Sequence, residues 1–443
     1  MENNSLKKQD PAIADLIGKE VQRQTSGLEM IPSENHSSLA VREALGSVLT
    51  DKYSEGYPKK RYYGGNQFID EVEILAIERA KELFGVAHVN VQPYSGSPAN
   101  QAVYFAVMEP GDTVMGQHLF AGGHLTHGWG VNFSGRFYKS VQYQVRKDGY
   151  LDLKEIRKIA QENKPKLIWC GATAYSREFP FAEMAKIADE VGAYFATDIA
   201  HIAGLIAGGV HVSPEPYAHI ITTTTHKTLR GPRGAMIMVT KKGLQKDPEL
   251  AEKIDKAVFP GLQGGPHNHQ TAAIAVALGE ALKPEFKDYA KQIVKNAKAL
   301  AESLMANGIE LVSGGTDNHL LLIDLTPFGP GKGLFGQTGL ETAGITVNKN
   351  TIPHDPASAF YPSGIRLGTP ALTTRGMKEK EMELIGKIIA QVLKKSCAID
   401  FPEDKEKRKE AIKKFRQTLK QDAELKTIRQ EVSELCQKFP LPS

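Results

Sequence analysis

Residues 194–204 read Tyr-Phe-Ala-Thr-Asp-Ile-Ala-His-Ile-Ala-Gly, and residues 220–234 read Ile-Ile-Thr-Thr-Thr-Thr-His-Lys-Thr-Leu-Arg-Gly-Pro-Arg-Gly. β-Branched and aromatic residues dominate the start of each stretch and predict strands over 194–199 and 219–225. Each predicted strand ends on ionisable residues, Asp198 with His201 and His226 with Lys227. Because α/β folds bind ligands at the carboxyl ends of their strands, we expect these four side chains to belong to one site.

Lys227 follows four threonines, which predict a half-buried strand. The low-dielectric interior beside such a strand lowers the pKa of a lysine and leaves a nucleophilic neutral amine. One known use of this pair is a lysine that binds pyridoxal phosphate, with a carboxylate such as Asp198 keeping the pyridine nitrogen protonated. The alternative is a buried ion pair without chemistry, and Asp198 and Lys227 alone do not decide between the two.

Composition limits the class of protein. The chain has 443 residues, 41% of them hydrophobic, which predicts two or three domains with a large core. The net charge of +4 is small beside 55 basic and 51 acidic residues, and the basic block at 405–414 has interleaved acids as on a solvated helix. Nucleic acid is therefore a poor candidate partner.

The cysteines and the apolar runs indicate where the protein works. Cys170, Cys397 and Cys436 lie far apart, which argues against disulfides and zinc and favours a reducing compartment. Residues 1–11 lack the apolar core of a signal peptide, and no apolar run approaches the roughly 18 residues of a membrane span. We expect a cytoplasmic protein that binds no membrane.

The first 65 residues predict one helix and a ligand-binding or connecting segment. The helix begins at Asp10-Pro11, ends near Gly27 and carries four apolar residues on one face: Ile13, Leu16, Ile17 and Val21. Pro-Ser-Glu-Asn at 32–35, Tyr-Ser-Glu-Gly-Tyr-Pro at 53–58 and Arg-Tyr-Tyr-Gly-Gly at 61–65 follow. This segment is too polar for core and too aromatic for disorder, so a binding loop and an ordered surface connection are equally good interpretations.

Ser-Gly-Ser-Pro-Ala-Asn at 95–100 follows a strand predicted at 89–92 and opens a helix predicted to run through Met108. Ser97 is the expected N-cap with Pro98 as the first helical residue, and Gly96 permits close approach of a ligand. Free amides and a hydroxyl at a helix N-terminus suit a phosphate, although ordinary capping is the commoner use of such a motif.

Residues 121–128 read Ala-Gly-Gly-His-Leu-Thr-His-Gly, in which the glycines would let a flat ring lie against His124. A metal role for His124 and His127 is weak, because no third ligand type is clustered nearby in the sequence. We therefore expect no metal.

Strand and helix patterns alternate through the middle of the chain. A helix from Asp70 directs Val72, Leu75, Ala76 and Leu83 inward and ends at Gly85, and a strand at 166–171 and a helix at 181–191 lead into the Asp198 strand. This order predicts a mostly parallel sheet covered on both faces. A long helix after Pro284, strands at 319–325 and 344–347, and helices from Met377 predict a smaller C-terminal α/β domain.

These motifs together resemble the serine hydroxymethyltransferase family of fold-type I pyridoxal-phosphate enzymes, which share the aspartate-aminotransferase fold. The resemblance covers nearly the whole chain, and Thr-Thr-Thr-Thr-His-Lys-Thr-Leu with Gly-Pro-Arg-Gly is its most specific part; Gln-Gly-Gly-Pro at 263–266 and Ser-Gly-Ile-Arg at 363–366 also match. It implies a large domain with a seven-stranded, mostly parallel sheet. The implied division is an N-terminal arm and loop segment over 1–65, a large cofactor-binding domain over 66–283 and a small domain over 284–443.

The implied reaction is reversible transfer of the serine hydroxymethyl group to tetrahydrofolate, giving glycine and 5,10-methylenetetrahydrofolate. The implied assembly is a homodimer with shared active sites, or a tetramer built from it. Pyridoxal 5′-phosphate would be covalently bound to Lys227, with Asp198 at the pyridine nitrogen, His124 stacked on the ring, His201 at the 3′ oxygen and Thr173 over the cofactor. The phosphate would contact Ser95, Gly96, Ser97 and His226, together with Tyr53, Gly264 and Gly265 from the other subunit.

The resemblance also assigns the two substrates. Arg366 would bind the substrate carboxylate, a bidentate task suited to arginine, with Ser33, Tyr63 and Arg233 completing the pocket. Glu55 would move a proton near the hydroxymethyl group and the folate. The implied catalytic residues are Lys227, Glu55, Tyr63, His226 and Asp198, and the other implied folate contacts are Tyr62, Leu119, Gly123, Leu125, Asn350, Ser358 and Phe360.

Three positions differ from the pattern typical of bacterial members: Tyr94 replaces histidine, Pro98 replaces glutamine and Thr173 replaces serine. None of these changes removes a group that the chemistry requires. Two enzymes of the same fold remain alternatives, a threonine or β-hydroxy amino acid aldolase and an α-methylserine hydroxymethyltransferase. A cofactor-binding regulator without catalysis would need an appended partner or DNA-binding domain, for which we expect the N-terminus to be too short.

Overall fold

The computed structural model describes residues 4–399 and 405–442. Its strands are β1 Leu28–Glu29, β2 Gly56–Tyr57, β3 Lys60–Arg61, β4 His88–Asn90, β5 Thr113–Gln117, β6 Lys139–Tyr143, β7 Leu167–Cys170, β8 Tyr194–Asp198, β9 Ile220–Thr224, β10 Ala235–Val239, β11 Glu310–Leu311, β12 Leu320–Asp324, β13 Ile345–Thr346, β14 Asn348–Asn350 and β15 Gly364–Gly368.

The α-helices are α1 Asn4–Gln9, α2 Pro11–Ser26, α3 Leu39–Leu45, α4 Gln67–Phe84, α5 Gly96–Val107, α6 Phe133–Arg136, α7 Leu153–Asn163, α8 Phe181–Glu190, α9 Ala203–Ala207, α10 Lys241–Lys246, α11 Leu250–Lys256, α12 Asn268–Ala281, α13 Pro284–Ala306, α14 Gly333–Thr342, α15 Pro370–Thr374, α16 Glu379–Ser396, α17 Lys405–Gln421 and α18 Ala423–Lys438. No helix in the described ranges is long and apolar enough to cross a membrane.

A seven-stranded sheet forms the centre of the fold, with strand order β4-β10-β9-β8-β7-β5-β6. Strand β10 is antiparallel to both of its neighbours, and the β9-β8-β7-β5-β6 pairings are parallel. This arrangement confirms the predicted mostly parallel sheet. Alternate residues of β8 enter different cores: Ala196 packs with residues of α5, and Phe195 packs with residues of α8. The sheet is thus covered on both faces.

The threonine strand differs from the sequence prediction in its burial. Every residue of β9 is buried, because the strand lies between β8 and β10 and has a hydrophobic core on each face. The half-buried strand predicted for these threonines was therefore wrong. The strand that precedes Lys227 is therefore more deeply buried than the sequence pattern indicated.

A second, four-stranded sheet has the order β11-β12-β15-β14, and all three of its pairings are antiparallel. Helix α13 links the two parts of the structure, because Phe286 and Ile293 belong to the core of the large sheet while Leu300 and Leu304 belong to the second core. Strand β1 pairs in parallel with β13, so the N-terminal segment also packs with the C-terminal part. The division at residues 283 and 284 stays a proposal.

The predicted N-cap of α5 and part of the predicted buried face of α4 were wrong. Helix α5 begins at Gly96 with Ser95 as N-cap, and the Ala99 amide donates to the Ser95 carbonyl at 3.0 Å, so Ser97 lies inside the first turn. Leu75 of α4 is exposed, since the buried face of that helix runs through Ile69, Ala76 and Ala80. The predicted cap of α2 is confirmed, with Asp10 Oδ1 accepting from the Ile13 amide at 3.1 Å.

Arg375 joins the ends of the chain. Its guanidinium donates to carbonyls at the end of α2 (Gln24, Thr25 and Gly27) and at the end of α18 (Cys436 and Phe439). A side chain that satisfies the last carbonyls of two helices also complements the negative ends of both helix dipoles. Arg375 is therefore a structural residue.

Candidate active site

The carboxyl ends of four parallel strands converge on one cavity. The chain leaves β5 toward His124, β7 toward Thr173, β8 at Asp198 and β9 toward Lys227. The cavity has a volume of about 320 Å³, and a smaller one with Asp198 and His127 in its wall shares Lys227, His124 and Thr173 with it. The residues that line the larger cavity are Ser33, Glu34, Ser95, Gly96, Ser97, His124, Thr173, His201, Thr224, His226, Lys227, Arg233 and Arg366.

Asp198 is held by three groups. Its Oδ2 accepts a hydrogen bond from Asn100 Nδ2 at 2.9 Å and lies 3.4 Å from His127 Nε2. Its Oδ1 accepts from the Ala200 amide at 3.0 Å. Asn100 is fixed in turn by Thr222, whose hydroxyl donates to Asn100 Oδ1 at 2.7 Å. The carboxylate therefore has a single supported orientation.

The charge of Asp198 follows from these neighbours. Burial by itself would raise the pKa of Asp198, but the contact with His127 and the neighbouring His124 and Lys227 side chains outweigh burial and hold that pKa well below its usual range. His127 is itself fully buried and stacks on Trp169 with 5.1 Å between ring centroids. Asp198 thus stays ionised throughout the physiological range of pH.

Lys227 has the properties of a nucleophile. Burial lowers the pKa of its amine to about 8, with Arg366 and Arg233 acting in the same direction and Asp198 opposing them. The Lys227 carbonyl accepts a hydrogen bond from Asn35 Nδ2 at 2.9 Å, which fixes the backbone beneath the side chain. Near pH 8 about half of the amine is therefore neutral, where an ordinary lysine would be almost fully charged.

His124 lines the same cavity as Lys227 and is fixed by Thr126, whose hydroxyl is 2.7 Å from His124 Nδ1. Burial lowers the pKa of His124 to about 4, so its ring is neutral at physiological pH. The ligand atoms of His124, His127 and Asp198 lie within 4.8 Å of one another. The expectation that no third ligand type lies near the two histidines was therefore wrong, because the fold brings Asp198 next to them.

Two buried polar atoms near the N-terminus of α5 lack a hydrogen-bond partner among the described residues, His226 Nδ1 and Thr224 Oγ1. The Ser95 hydroxyl makes no capping bond to its own helix. Gly96 lies so close to Thr224 that an added Cβ would be 2.7 Å from Thr224 Cγ2. Polar atoms without partners in the described part of the chain therefore surround a glycine that has no space for a side chain. Such an arrangement suits a bound anion.

Arg366 comes from the second sheet and points into the same cavity. Its Nε donates to Asn348 Oδ1 at 3.0 Å, and one terminal nitrogen donates to the Thr173 carbonyl at 2.6 Å. Burial lowers the pKa of Arg366 to about 10, while Glu34 acts in the opposite direction. Arg366 stays charged at neutral pH, and Ser33 lies in the same cavity wall.

His201 pairs with a histidine that the sequence did not bring to attention. Its Nδ1 is 3.3 Å from His319 Nε2, and the two rings stack with centroids 5.5 Å apart. Burial and the nearby Lys227 and Arg366 charges lower the pKa of both histidines. Both rings are therefore neutral and act as hydrogen-bonding groups.

Five predicted site residues form a separate group, the Tyr53 cluster, which consists of Tyr53, Glu55, Tyr63, Gly264 and Gly265. The Tyr53 hydroxyl is 3.3 Å from Glu55 Oε1, and the Tyr53 and Tyr63 rings meet edge to face at 5.1 Å. An added Cβ on Gly264 would lie 2.9 Å from Glu55 Oε1, and one on Gly265 would lie 3.2 Å from the Tyr53 ring. Within the described part of the chain, none of the five lines the Lys227 cavity.

The predicted folate contacts lie on three segments: one follows β5, one begins at the end of β14, and one follows β3, with Gly123 buried. Leu119, Gly123 and Leu125 follow β5, and a hydrogen bond of 2.9 Å from the Thr351 hydroxyl to the Phe120 carbonyl joins this loop to the one that follows Asn350. Ser358 and Phe360 are exposed further along that second loop, and Phe360 is 82% exposed. Tyr62 is 75% exposed and packs its ring edge to face on Phe259 at 5.7 Å.

Four residues with clear geometric roles were missed in the sequence. They are Asn35 beneath Lys227, Asn100 and His127 around Asp198, and Asn348 beside Arg366. Asn35 and Asn100 each end a motif that the sequence analysis quoted, so their position was a usable signal. No local pattern links His127 to Asp198, because 70 residues lie between positions 127 and 198 in the chain.

Comparison with known proteins agrees with this geometry. The family model described as serine hydroxymethyltransferase matches residues 6–389. A serine hydroxymethyltransferase of Acidothermus cellulolyticus is 60% identical over 387 residues, covering 86% of this chain and 88% of that protein. One from Sorangium cellulosum is 53% identical over 442 residues, covering 99% of this chain and 96% of that protein. The chain therefore belongs to the serine hydroxymethyltransferase family.

Proposed function

We propose that this protein catalyses the reversible transfer of the serine hydroxymethyl group to tetrahydrofolate, giving glycine and 5,10-methylenetetrahydrofolate. One observation carries the proposal: an amine of lowered pKa, a permanently ionised carboxylate and an arginine suited to a carboxylate line the same or adjoining cavities. Family membership separates this reaction from the aldolase and methylserine alternatives, which share these groups. The test is folate-dependent formation of glycine from serine.

The site residues fit pyridoxal 5′-phosphate. Lys227 would hold its aldehyde carbon covalently, Asp198 its ring nitrogen, His124 and Thr173 its ring, His201 its 3′ oxygen, and Ser95, Gly96, Ser97 and His226 its phosphate. The unpartnered His226 and Thr224 atoms and the close approach at Gly96 support this fit. When bound, the cofactor supplies an electron-accepting ring that stabilises negative charge on the amino-acid α-carbon.

The chain's own residues set the protonation states that this chemistry needs. Lys227 would hold the cofactor and, as a free amine, would accept and return a proton near neutral pH, which its lowered pKa permits. Asp198 would keep a proton on the ring nitrogen of a bound cofactor, because a buried ionised carboxylate makes loss of that proton costly. The neutral His124 and His201 bring no competing positive charge to the site.

Replacing Asp198 with asparagine should reduce kcat for folate-dependent serine cleavage by roughly 10²–10³, because one preorganised electrostatic partner of the developing charge is removed. Cofactor should remain covalently attached, since Lys227 is unchanged. Steady-state kinetics with a cofactor absorbance spectrum of the same sample gives both quantities.

Asp247→Asn is the matched control for that variant. Asp247 is also a buried carboxylate of the large-sheet part, but it does not line the cavity. It accepts hydrogen bonds from Tyr194 at 3.0 Å and from Lys253 at 2.7 Å. We expect its kcat to stay within about twofold of the unmodified protein. An equal decrease of kcat in both variants would mean that removing a buried carboxylate damages the fold. The role given to Asp198 would then be wrong.

Arg366 would bind the substrate carboxylate. Asn348 and the Thr173 carbonyl occupy two of its donors and hold the plane of the guanidinium, so the remaining donors face the cavity. Ser33, Arg233 and, from the Tyr53 cluster, Tyr63 would complete the amino-acid pocket. A planar fork held on one side offers the carboxylate a bidentate contact in a fixed orientation.

Arg366→Ala should raise the serine dissociation constant at least roughly tenfold, because hydrogen bonds to charged groups contribute about 1.5–3 kcal/mol each. Cofactor binding should survive. Arg157→Ala serves as the comparison for loss of positive charge alone, because Arg157 bonds Glu190 at 3.0 Å and lines neither cavity. A serine dissociation constant that is unchanged in Arg366→Ala would place the carboxylate elsewhere.

The Tyr53 cluster supports a shared site in a homodimer. Its residues are needed for the proposed chemistry, yet they lie outside the Lys227 cavity of their own chain. We propose that the Tyr53 cluster of one subunit completes the site of the other, with Tyr53, Gly264 and Gly265 at the phosphate and Glu55 and Tyr63 near the substrate. Whether two such dimers form a tetramer is a question for a mass measurement in solution.

The folate would lie between the segments that follow β5 and β14 and the Tyr53 cluster. Tyr62 offers an aromatic face, and Glu55 offers a carboxyl that can give and recover a proton. The remaining proposed contacts are Leu119, Gly123, Leu125, Asn350, Ser358 and Phe360. The three cysteines are buried and unpaired, which supports a reducing, cytoplasmic location.

A further inference from the structure

Tyr94 connects the phosphate-binding motif to the Gly264–Gly265 turn of the same chain. It immediately precedes Ser95, and its hydroxyl donates a hydrogen bond to the Gly265 carbonyl at 2.8 Å. Its ring stacks on His267 with centroids 4.1 Å apart and an interplanar angle of 7°. The side chain is therefore fixed at its hydroxyl and across its face.

Two more hydrogen bonds join the same two segments. Gln263 Nε2 donates to the Gln92 carbonyl at 2.7 Å, and Gln270 Nε2 donates to the Tyr94 carbonyl at 3.3 Å. These two bonds hold the backbones together on either side of the turn. The Tyr94 hydroxyl contacts the turn itself, at the Gly265 carbonyl.

The surroundings of Tyr94 keep its hydroxyl a donor. Burial raises the pKa of Tyr94, and the nearby Tyr53 and Glu55 raise it further. The neutral phenol keeps its proton, which it donates to the Gly265 carbonyl. An added Cβ on Gly265 would lie 3.2 Å from the Tyr53 ring, so the turn has little space in which to move away.

We propose that Tyr94 is a positioning residue that couples the two phosphate sites of the dimer. Its backbone leads into Ser95 of its own site, while its hydroxyl fixes the Gly265 carbonyl and thereby the amides of the turn that serve the partner's site. This inference rests on the proposed function, in which Gly264 and Gly265 contact the phosphate across the dimer interface. A histidine at position 94 would keep a ring for stacking but would lack the phenolic hydroxyl.

Tyr94→Phe keeps the stacked ring and removes only the hydroxyl. We expect the dissociation constant of pyridoxal 5′-phosphate to rise roughly 3- to 10-fold, which is the effect of one hydrogen bond, while that of pyridoxal, which lacks the phosphate, changes by less than about twofold. Tyr143→Phe is the matched control, because Tyr143 donates a comparable bond of 2.9 Å to the Trp169 carbonyl from the edge strand β6. Equal losses for both ligands would mean that Tyr94 is merely structural, and the proposal would be wrong.

Hybrid dimers test the coupling directly. In a dimer with one Lys227→Ala subunit, only the other subunit can bind cofactor covalently, and its phosphate contacts the turn of the Lys227→Ala subunit. Tyr94→Phe placed on the Lys227→Ala subunit should weaken covalent binding by the same 3- to 10-fold. Tyr94→Phe placed on the subunit that keeps Lys227 should change binding by less than about twofold.

The two possible failures are distinguishable. If the weakening follows Tyr94→Phe on the subunit that keeps Lys227, Tyr94 acts within its own site and the coupling is wrong, while the proposed function stands. If the unmodified protein binds no pyridoxal 5′-phosphate or forms no dimer, the proposed function itself fails. Both hybrids are read by cofactor absorbance during titration, with sedimentation confirming that each remains dimeric.

Discussion

Lys227→Ala should abolish folate-dependent serine cleavage and the visible absorbance of covalently bound cofactor. The amine is the only nucleophile of the cavity with a pKa brought near neutrality by burial, among the residues that the structure describes. Pyridoxal 5′-phosphate should still bind without a covalent bond, because the phosphate contacts, Asp198 and His124 are unchanged. Activity assays with absorbance before and after borohydride reduction measure both effects.

Lys227→Arg is the control for charge. Arginine keeps a positive side chain near Asp198 but is protonated at all accessible pH values and cannot act as the nucleophile. We expect Lys227→Arg to be as inactive as Lys227→Ala. Serine turnover at the unmodified rate in either variant would show that Lys227 is only the ion-pair partner of Asp198.

The pKa of Lys227 predicts the pH dependence of cofactor attachment. Since the neutral amine reacts, attachment to cofactor-free protein should accelerate about tenfold per pH unit below pH 8 and level off above it. An amine with an ordinary pKa would still be accelerating at pH 10. Stopped-flow absorbance across pH 6–10 separates the two profiles.

Glu55→Gln should reduce folate-dependent serine cleavage by about 10²–10⁴, the usual worth of a positioned general acid or base. Glutamine keeps the shape of the side chain next to Tyr53 but cannot exchange a proton. Glycine should still bind, because Lys227, Asp198 and Arg366 are untouched. The measurement is serine cleavage with and without tetrahydrofolate, beside folate-independent cleavage of allo-threonine.

Asp51→Asn provides the matched control for Glu55→Gln. Asp51 is an exposed carboxylate four residues earlier in the same segment, and its removal should leave both activities within about twofold. If Glu55→Gln loses the folate-independent activity equally, the damage is structural. An unchanged folate-dependent rate would leave Glu55 without the role in proton transfer.

The sequence predicted the strands and their ionisable ends because both depend on local pattern. Strands β8 and β9 came within two residues of their predicted limits, and Asp198, Lys227 and His124 do meet at the carboxyl edge of the sheet. Parallel neighbouring strands have their carboxyl ends at the same edge of the sheet. Residues that follow these strands therefore meet there, even though no sequence pattern links them directly.

The contacts that orient those residues were not predictable from pattern. Asn100 and His127 reach Asp198 from different elements, and Asn348 reaches Arg366 across β14 and β15. Such pairs depend on packing between elements rather than on the periodicity of either one. The resemblance assigned the Tyr53 cluster to a site in the dimer and did not say where the cluster lies within one chain. Its distance from the Lys227 cavity of its own chain is a property of the folded chain.

The most direct test of this account measures products from serine with purified protein loaded with pyridoxal 5′-phosphate, with and without tetrahydrofolate. We expect glycine and 5,10-methylenetetrahydrofolate to form in equal amounts, with glycine formation falling at least about 100-fold when tetrahydrofolate is omitted. Glycine formation at the same rate without tetrahydrofolate, with no methylenetetrahydrofolate produced in its presence, would contradict the account and indicate an aldolase.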